Sequence, residues 1–364
     1  MSGRLEIDLG ALAYNYGVLH GGRPGTLAAV VKADAYGLGA TQVAQTLWQQ
    51  GCREFFVAQA AEGMTLRADL PEAEIYILEG VTAESAATLQ SHNLQPVLNS
   101  AEQCAVWGPT GQPAALQLDT GMARLGLTAE SVLPAIDRYG LDVGLLLTHF
   151  ARADELGHDF NATQLDQVMA VFRPLQERIP KLRLSLSNSA ACASGVFPPA
   201  DVVHLGRAGI GLYGGNPLAQ GTAADVGLMP VARLHGQVLQ LRELAQGSPV
   251  GYGSTYVATG AERLMIIGVG YADGVPRLLS GQGRVFVDGR RCAIRGRVSM
   301  DMLHADATGV DVAVGDWVEV MGAHISVDDV AQQAQTIAYE ILTGLGKRLR
   351  RVYLNGLDTN TGMG

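Results

Sequence analysis

The stretch Thr26-Leu-Ala-Ala-Val-Val-Lys32 is followed by the apolar set Val43, Ala44, Leu47 and Trp48 and then by Glu54-Phe-Phe-Val-Ala58. It reads as strand, helix, strand, with Gly51 standing where a helix C-cap belongs. The alternation continues through expected strands at 74–79, 94–98, 114–119, 143–149, 182–187 and 202–207. Between them lie helical segments, the clearest marked by Leu165, Val168, Met169 and Phe172 at i, i+3, i+4 and i+7. Eight such units in about 200 residues fit a closed parallel (β/α)8 barrel of the TIM type, assigned to residues 9–226. An open doubly wound α/β sheet is the alternative.

Pro217 and the glycine-containing stretch up to Gly227 break this rhythm. Beyond Met229-Pro230 the apolar period shortens towards two, which predicts a mainly-β second domain over 227–355, joined by residues 1–8. Strands are expected at 231–241, 263–269, 284–287 and 317–321, with Asp288-Gly289 as a hairpin turn. Ser326 with Asp329 marks the start of one late helix running to about Leu342. Residues 356–364 read as a frayed tail.

Composition narrows the function. Of 364 residues, 48% are apolar and 17% charged, enough for a large core and too few charges for general disorder. Twenty-six Lys and Arg against 35 Asp and Glu leave a formal charge of −9, the wrong sign for coating nucleic acid or anionic lipid. Apolar runs such as Val143 to Leu147 fall far short of the roughly 20 residues of a membrane helix. The acidic start Met1-Ser-Gly-Arg-Leu-Glu-Ile-Asp lacks the basic and apolar stretches of a secretory signal, so a cytoplasmic protein is expected. Cys52, Cys104, Cys192 and Cys292 are too widely spaced for a zinc or dithiol motif and read as buried thiols. No metal site is expected.

A (β/α) barrel carries its chemistry at the C-terminal ends of its strands. There the sequence offers Lys32, Asp119 with Arg124, His149, Asn188 with Ser189, and Arg207. A partly desolvated lysine has a lowered pKa and suits imine chemistry, although a strand-end lysine can equally snorkel into water. A lone histidine or arginine here can likewise be a satisfied core residue or half of a structural ion pair.

The segment Val30-Val31-Lys32-Ala33-Asp34-Ala35-Tyr36-Gly37 resembles the pyridoxal-phosphate lysine motif of alanine racemases. The likeness continues in order through Asp119-Thr-Gly-Met-Ala-Arg124-Leu-Gly, Thr148-His149-Phe150, Ser187-Asn188-Ser189, Arg207-Ala-Gly209-Ile210, Gly251-Tyr252-Gly253-Ser-Thr-Tyr256, Gly270-Tyr271-Ala-Asp273-Gly274 and Gly296-Arg297-Val-Ser299-Met300-Asp301. Each motif alone is weak; eight in the family's order are specific.

The resemblance implies a pyridoxal 5'-phosphate enzyme that interconverts L- and D-alanine, a source of D-alanine for peptidoglycan, acting as a head-to-tail homodimer with shared active sites. It implies two bases, Lys32 for the D-enantiomer and Tyr252, from the partner subunit, for the L-enantiomer, with His149 and Arg207 in support. Lys32, Tyr36, Asn188, Ser189, Arg207, Gly209 and Ile210 correspond to cofactor contacts, and Arg124, Met300, Tyr271 and Asp301 to the substrate side. An always-charged guanidinium is a poor proton donor to the pyridine nitrogen, so Arg207 would leave the ring unprotonated. Where some relatives carry a carbamylated lysine two residues before the Asp119 position, this chain has Gln117, whose amide can still hydrogen-bond Arg124. Lys347 aligns roughly with a phosphate-binding tyrosine of some relatives. Competing implications are a racemase of broader specificity, a decarboxylase of the same barrel class and a non-enzymatic pyridoxal-phosphate carrier.

Overall fold

The computed structural model describes residues 2–21 and 26–355, so the expected frayed tail lies outside the described residues. Eight parallel strands form one sheet: Thr26–Val30, Glu54–Val57, Glu74–Ile77, Gln95–Leu98, Pro113–Gln117, Asp142–Leu147, Arg183–Ser185 and Leu205–Ala208. Each pairs with the next in sequence, and the eighth pairs back onto the first through Thr26↔Leu205 and Ala28↔Arg207. The last seam, between strands seven and eight, is made by the Leu184↔His204 bridge and by Arg207 N donating to Ser187 O at 2.8 Å. The ring is therefore closed, and its steady order lacks the reversal that defines a doubly wound sheet.

Parallel strands are covered on both faces, which is why they read as nearly continuous apolar runs. Glu54–Val57 is buried throughout, and Val168 and Phe172 of helix Asp159–Arg178 pack onto the sheet, with Leu165 and Met169 at the margin. At the strand starts Glu54 is answered by Arg183, whose two guanidinium nitrogens donate to its carboxylate at 2.8 Å each, and Tyr76 OH donates to Glu54 at 3.1 Å. That end of the barrel is closed by a matched ion pair.

The second sheet is built around the long strand Ala232–Leu244. It pairs antiparallel with Gly3–Asp8, Trp317–Met321 and Glu262–Ile267, the last after a bulge between Val238 and Gln240. Arg350–Leu354 runs parallel to Gly3–Asp8 at the edge, and Leu303–Asp306 extends the sheet beyond Glu262–Ile267. Arg284–Val287 and Arg290–Ala293 form the expected hairpin. Asp288 (φ 50°) and Gly289 (φ 70°) both take the left-handed conformation that a two-residue turn of this twist demands.

The single late helix is a correction. Ser326 and Asp329 form their reciprocal cap, but the helix they start, Val327–Gln333, ends early and a second, Ala338–Thr343, follows. Gln335 is left-handed at φ 54°, and Thr336 N turns back to Ala331 O at 2.9 Å, closing the first helix. All four cysteines are buried. Among the described residues no helix is long and apolar enough to cross a membrane, and no cluster of His, Cys, Asp or Glu is suited to a metal ion.

Candidate active site

A cavity of about 290 Å³ opens at the C-terminal ends of the barrel strands. Lys32, the second residue past the first strand, points into it from the start of an unusual turn. Ala33, Asp34, Ala35 and Tyr36 all have φ between 52° and 56°, a full turn of left-handed helix. For L-residues this hand costs about 1–2 kcal/mol each, because the β-carbon crowds the following carbonyl. Two of the four are alanines, and the turn is pinned by Ala33 N donating to Glu62 Oε1 (2.6 Å) and Ala40 N to Asp34 Oδ1 (2.8 Å). The turn puts Lys32 and Tyr36 on the same cavity wall. Burial and then the Arg124 charge lower the Lys32 pKa, opposed by Glu62. The shift is in the direction that imine chemistry needs.

Arg207 enters from the eighth strand and is only 5% exposed. Its Nη1 donates to Ser185 Oγ at 2.6 Å and its Nη2 to Thr148 O at 2.7 Å and His149 Nδ1 at 3.2 Å. None of these acceptors is a carboxylate. Because a guanidinium only donates, His149 Nδ1 must accept, which leaves the imidazole proton on Nε2. Burial, then the charges of Arg207, Arg124 and Lys32, push His149 down to about 3, so it is neutral. The strand ends beneath are stitched by Gln164, which donates to His149 O and Thr120 Oγ1 and accepts from Ala151 N.

The far wall is a cradle of donors. Ser189 Oγ accepts from Gly209 N at 2.7 Å and Gly211 N at 3.3 Å, which leaves its own proton free to be given to a ligand. Asn188 starts the short helix Ser189–Ser194 by accepting Ala191 N at 2.9 Å. Tyr36 OH lies so near Gly209 that a β-carbon there would come within 2.6 Å of it. The Tyr36 ring packs against Tyr213 and Tyr339, at 4.7 and 5.9 Å between centroids. Burial raises the pKa of Tyr36, and pushes Tyr339 up to about 12, so both phenols stay protonated donors.

Arg124 reaches the cavity from a loop organised by Asp119, whose Oδ1 accepts the amides of Gly121, Met122 and Ala123 at 2.9, 3.0 and 3.2 Å. Gln117 also lines the cavity, but its Nε2 donates to Leu125 O at 3.0 Å, so it braces the backbone beside Arg124. The lining thus holds three cationic side chains, Lys32, Arg124 and Arg207, and among the described residues none of the lining is Asp or Glu. In a chain of net charge −9 this is a site for anions.

Lys32, Tyr36, Arg124, His149, Asn188, Ser189, Arg207, Gly209 and Ile210 are gathered around this one cavity. Tyr252, Tyr271, Met300 and Asp301 are not part of its wall; they stand on the second domain, with Tyr252 72% exposed. Asp301 is engaged at 2.7 Å by Arg348, which also grips the buried Asp273 through two hydrogen bonds of 2.7 and 3.0 Å. Lys347 is a correction. It borders a separate surface depression with Asp301 and Arg348, while the tyrosine at the cradle is Tyr339, eight residues earlier. Sequence reasoning missed Tyr339 because it treated its segment as one continuous helix. It missed Gln164 too, although a glutamine among the apolar positions of a helix is a visible signal.

Comparison with known proteins agrees with this geometry. The family model for the alanine racemase N-terminal domain matches residues 7–217, and that for the alanine racemase C-terminal domain matches residues 231–353. The chain is 43% identical to the catabolic alanine racemase of Agrobacterium fabrum, over 97% of this chain and 92% of that protein. It is 41% identical to the alanine racemase of Brucella abortus, over 99% and 96%. Among solved structures, the Bartonella henselae alanine racemase with covalently bound pyridoxal phosphate superposes with a TM-score of 0.87 at 36% identity, covering 97% of this chain and 100% of that one. The biosynthetic alanine racemase of Pseudomonas aeruginosa gives 0.88 at 36% identity, covering 97% and 99%.

Proposed function

This chain belongs to the alanine racemase family, and from that premise we propose how its residues divide the work of inverting alanine. It is a pyridoxal-phosphate-dependent isomerase interconverting L- and D-alanine. The full-length match to racemases, second domain included, removes the decarboxylase and carrier alternatives.

The cavity suits the cofactor on its own chemistry. A phosphate needs convergent donors, and Ser189, Tyr36, Tyr339 and the amide of Ile210 form such a set, the Gly209 amide being spent on orienting Ser189 Oγ, in space that a β-carbon at 209 would fill. Lys32 would anchor the group covalently, and Arg207 would face its ring nitrogen as a donor that keeps its proton. When bound, pyridoxal phosphate supplies the electron sink that makes the amino acid's α-carbon acidic. Arg124 would take the substrate carboxylate, which fixes the α-hydrogen relative to Lys32.

Inversion needs one proton carrier on each face of the substrate. Lys32 is the first, accepting from D-alanine and donating to form it. Tyr252 is the second, serving the L-enantiomer through its hydroxyl. A neutral His149 that carries its proton on Nε2 would be a hydrogen-bond donor to the Tyr252 oxygen once the partner's Tyr252 enters the site. Because Tyr252 is exposed and lies outside its own chain's cavity, the reading requires a head-to-tail homodimer in which each chain lends Tyr252, Tyr271, Met300 and Asp301 to its partner's site. A cytoplasmic location accords with the acidic composition.

The observation that carries this reading is the convergence of Lys32, His149, Arg124 and Arg207 on one carboxylate-free cavity. A chiral assay of the purified protein with pyridoxal phosphate tests it, using alanine, serine, lysine and arginine. L-alanine should run to an equal mixture of enantiomers, with solvent deuterium entering at the α-carbon. No inversion of alanine, or faster inversion of another amino acid, overturns the assignment.

A further inference from the structure

The left-handed turn carrying Lys32 and Tyr36 is gripped at both ends. On the side where the chain enters, Glu62 accepts Ala33 N with one carboxylate oxygen and the amides of Ala58 and Gln59 with the other. On the side where it leaves, the grip comes from the edge strand Arg350–Leu354 of the second sheet. Arg351 Nη2 and Nε donate to Gly37 O at 3.0 and 3.4 Å, its Nη1 donates to Gly346 O at 3.4 Å, and Tyr353 OH donates to Leu38 O at 3.1 Å. The fit is tight. A β-carbon on Gly37 would approach Leu342 O to 2.6 Å, and one on Gly39 would overlap the Tyr353 hydroxyl.

We infer that Arg351, assisted by Tyr353, is a positioning residue for racemisation, holding the exit carbonyls of the turn so that Lys32 and Tyr36 enter the cavity in register. A run of four left-handed residues persists only where its surroundings over-determine it. Arg351 supplies a charged, two-point hold on the carbonyl that leaves the turn, and it touches neither the cavity nor Arg124. Its removal lets residues 33–37 sample other conformations, so the Lys32 amine is aligned for only part of the time. The substrate carboxylate site keeps its geometry. The loss should therefore fall on kcat rather than on KM.

The inference rests on the proposed role of Lys32, and its test has readouts that do not depend on that role. Arg351→Ala is compared with Arg351→Lys, Tyr353→Phe and the exposed neighbour Arg350→Ala. For Arg351→Ala we expect kcat lower by about 10- to 100-fold with KM for alanine within about twofold. Pyridoxal phosphate should bind about tenfold more weakly in an absorbance titration, and amide hydrogen exchange should quicken over residues 33–39 alone. Arg351→Lys restores part of each, Tyr353→Phe shows the same exchange change on a smaller scale, and Arg350→Ala behaves as wild type. Wild-type exchange and cofactor affinity in Arg351→Ala overturn the inference, as does a loss spread evenly over kcat, KM, Tm and exchange throughout the chain. Should Arg351→Ala not fold, unchanged exchange over 37–39 in Tyr353→Phe overturns it instead. A wild-type protein that fails to invert alanine defeats the role of Lys32 but leaves the exchange and affinity readouts to decide the positioning.

Discussion

At the barrel rim the arginine that matters is met by dipoles: Arg207 bonds a hydroxyl, a carbonyl and an imidazole nitrogen. In the second domain two arginines are met by carboxylates, Arg348 by Asp273 and Asp301, and Arg295 by Asp306 at 2.8 Å. The bottom of the barrel follows the second pattern, with Arg183 on Glu54. Charge matched within the chain does structural work, and charge left unmatched is reserved for a ligand. A second contrast sets the buried cluster at the rim against the exposed residues of the second domain. The rim buries Arg207 and gathers its partners, while Tyr252, Tyr271 and Met300 face solvent.

The strongest way to break this contrast is complementation. Lys32→Ala and Tyr252→Phe should each lose about a thousandfold or more in turnover. When the two inactive proteins exchange subunits, about half of the dimers are mixed, and each of those has one intact site of two, so about a quarter of wild-type activity returns. No recovery on mixing would mean that both bases belong to one chain.

A weaker test asks whether burial keeps the barrel's histidines uncharged, His149 at the rim and His204 at the start of the eighth strand. Burial and neighbouring cations push His149 down to about 3, and burial and Arg207 push His204 down to about 4. In the unfolded chain a histidine gains its proton as pH falls through about 6.5. Between these values the unfolded state binds more protons, so stability is present at pH 7 and is lost as pH falls towards 4. The loss from pH 7 to pH 5 should be on the order of 1–2 kcal/mol per histidine. Urea unfolding at both values should give His204→Asn a fall shallower by that amount; an equal fall in variant and wild type would remove the histidine from the account.

The smallest effect sharpens the picture of Arg124. Since Gln117 braces the Leu125 carbonyl, Gln117→Ala should raise KM for alanine about two- to fivefold and change kcat less. Steady-state kinetics with an unchanged KM would show that the Asp119 loop holds Arg124 unaided.

The barrel was legible because local pattern and tertiary role coincide there: each buried strand is an apolar run, and Lys32, His149 and Asn188 follow within three residues of a strand end while Arg207 stands in the last strand itself. The second sheet was less so. Gly3–Asp8 pairs with strands more than 220 residues away, and period-two alternation names no partner. The break at Gln335 was hidden because a glutamine in the left-handed region carries none of the signal that glycine or asparagine gives. The left-handed turn itself was visible only as small residues after Lys32. Its hand comes from Glu62, Arg351 and Tyr353, which lie far from it in sequence.

The unmatched charge of the cavity also ties the stability of the fold to the presence of its cofactor. Lys32, Arg124 and Arg207 repel one another until a dianion and a carboxylate arrive. Binding that favours the native chain raises its unfolding free energy by about 2.7 kcal/mol once free vitamer stands a hundredfold above its dissociation constant. The unloaded protein should therefore melt at a lower temperature than the loaded one, which thermal unfolding with and without added pyridoxal phosphate measures.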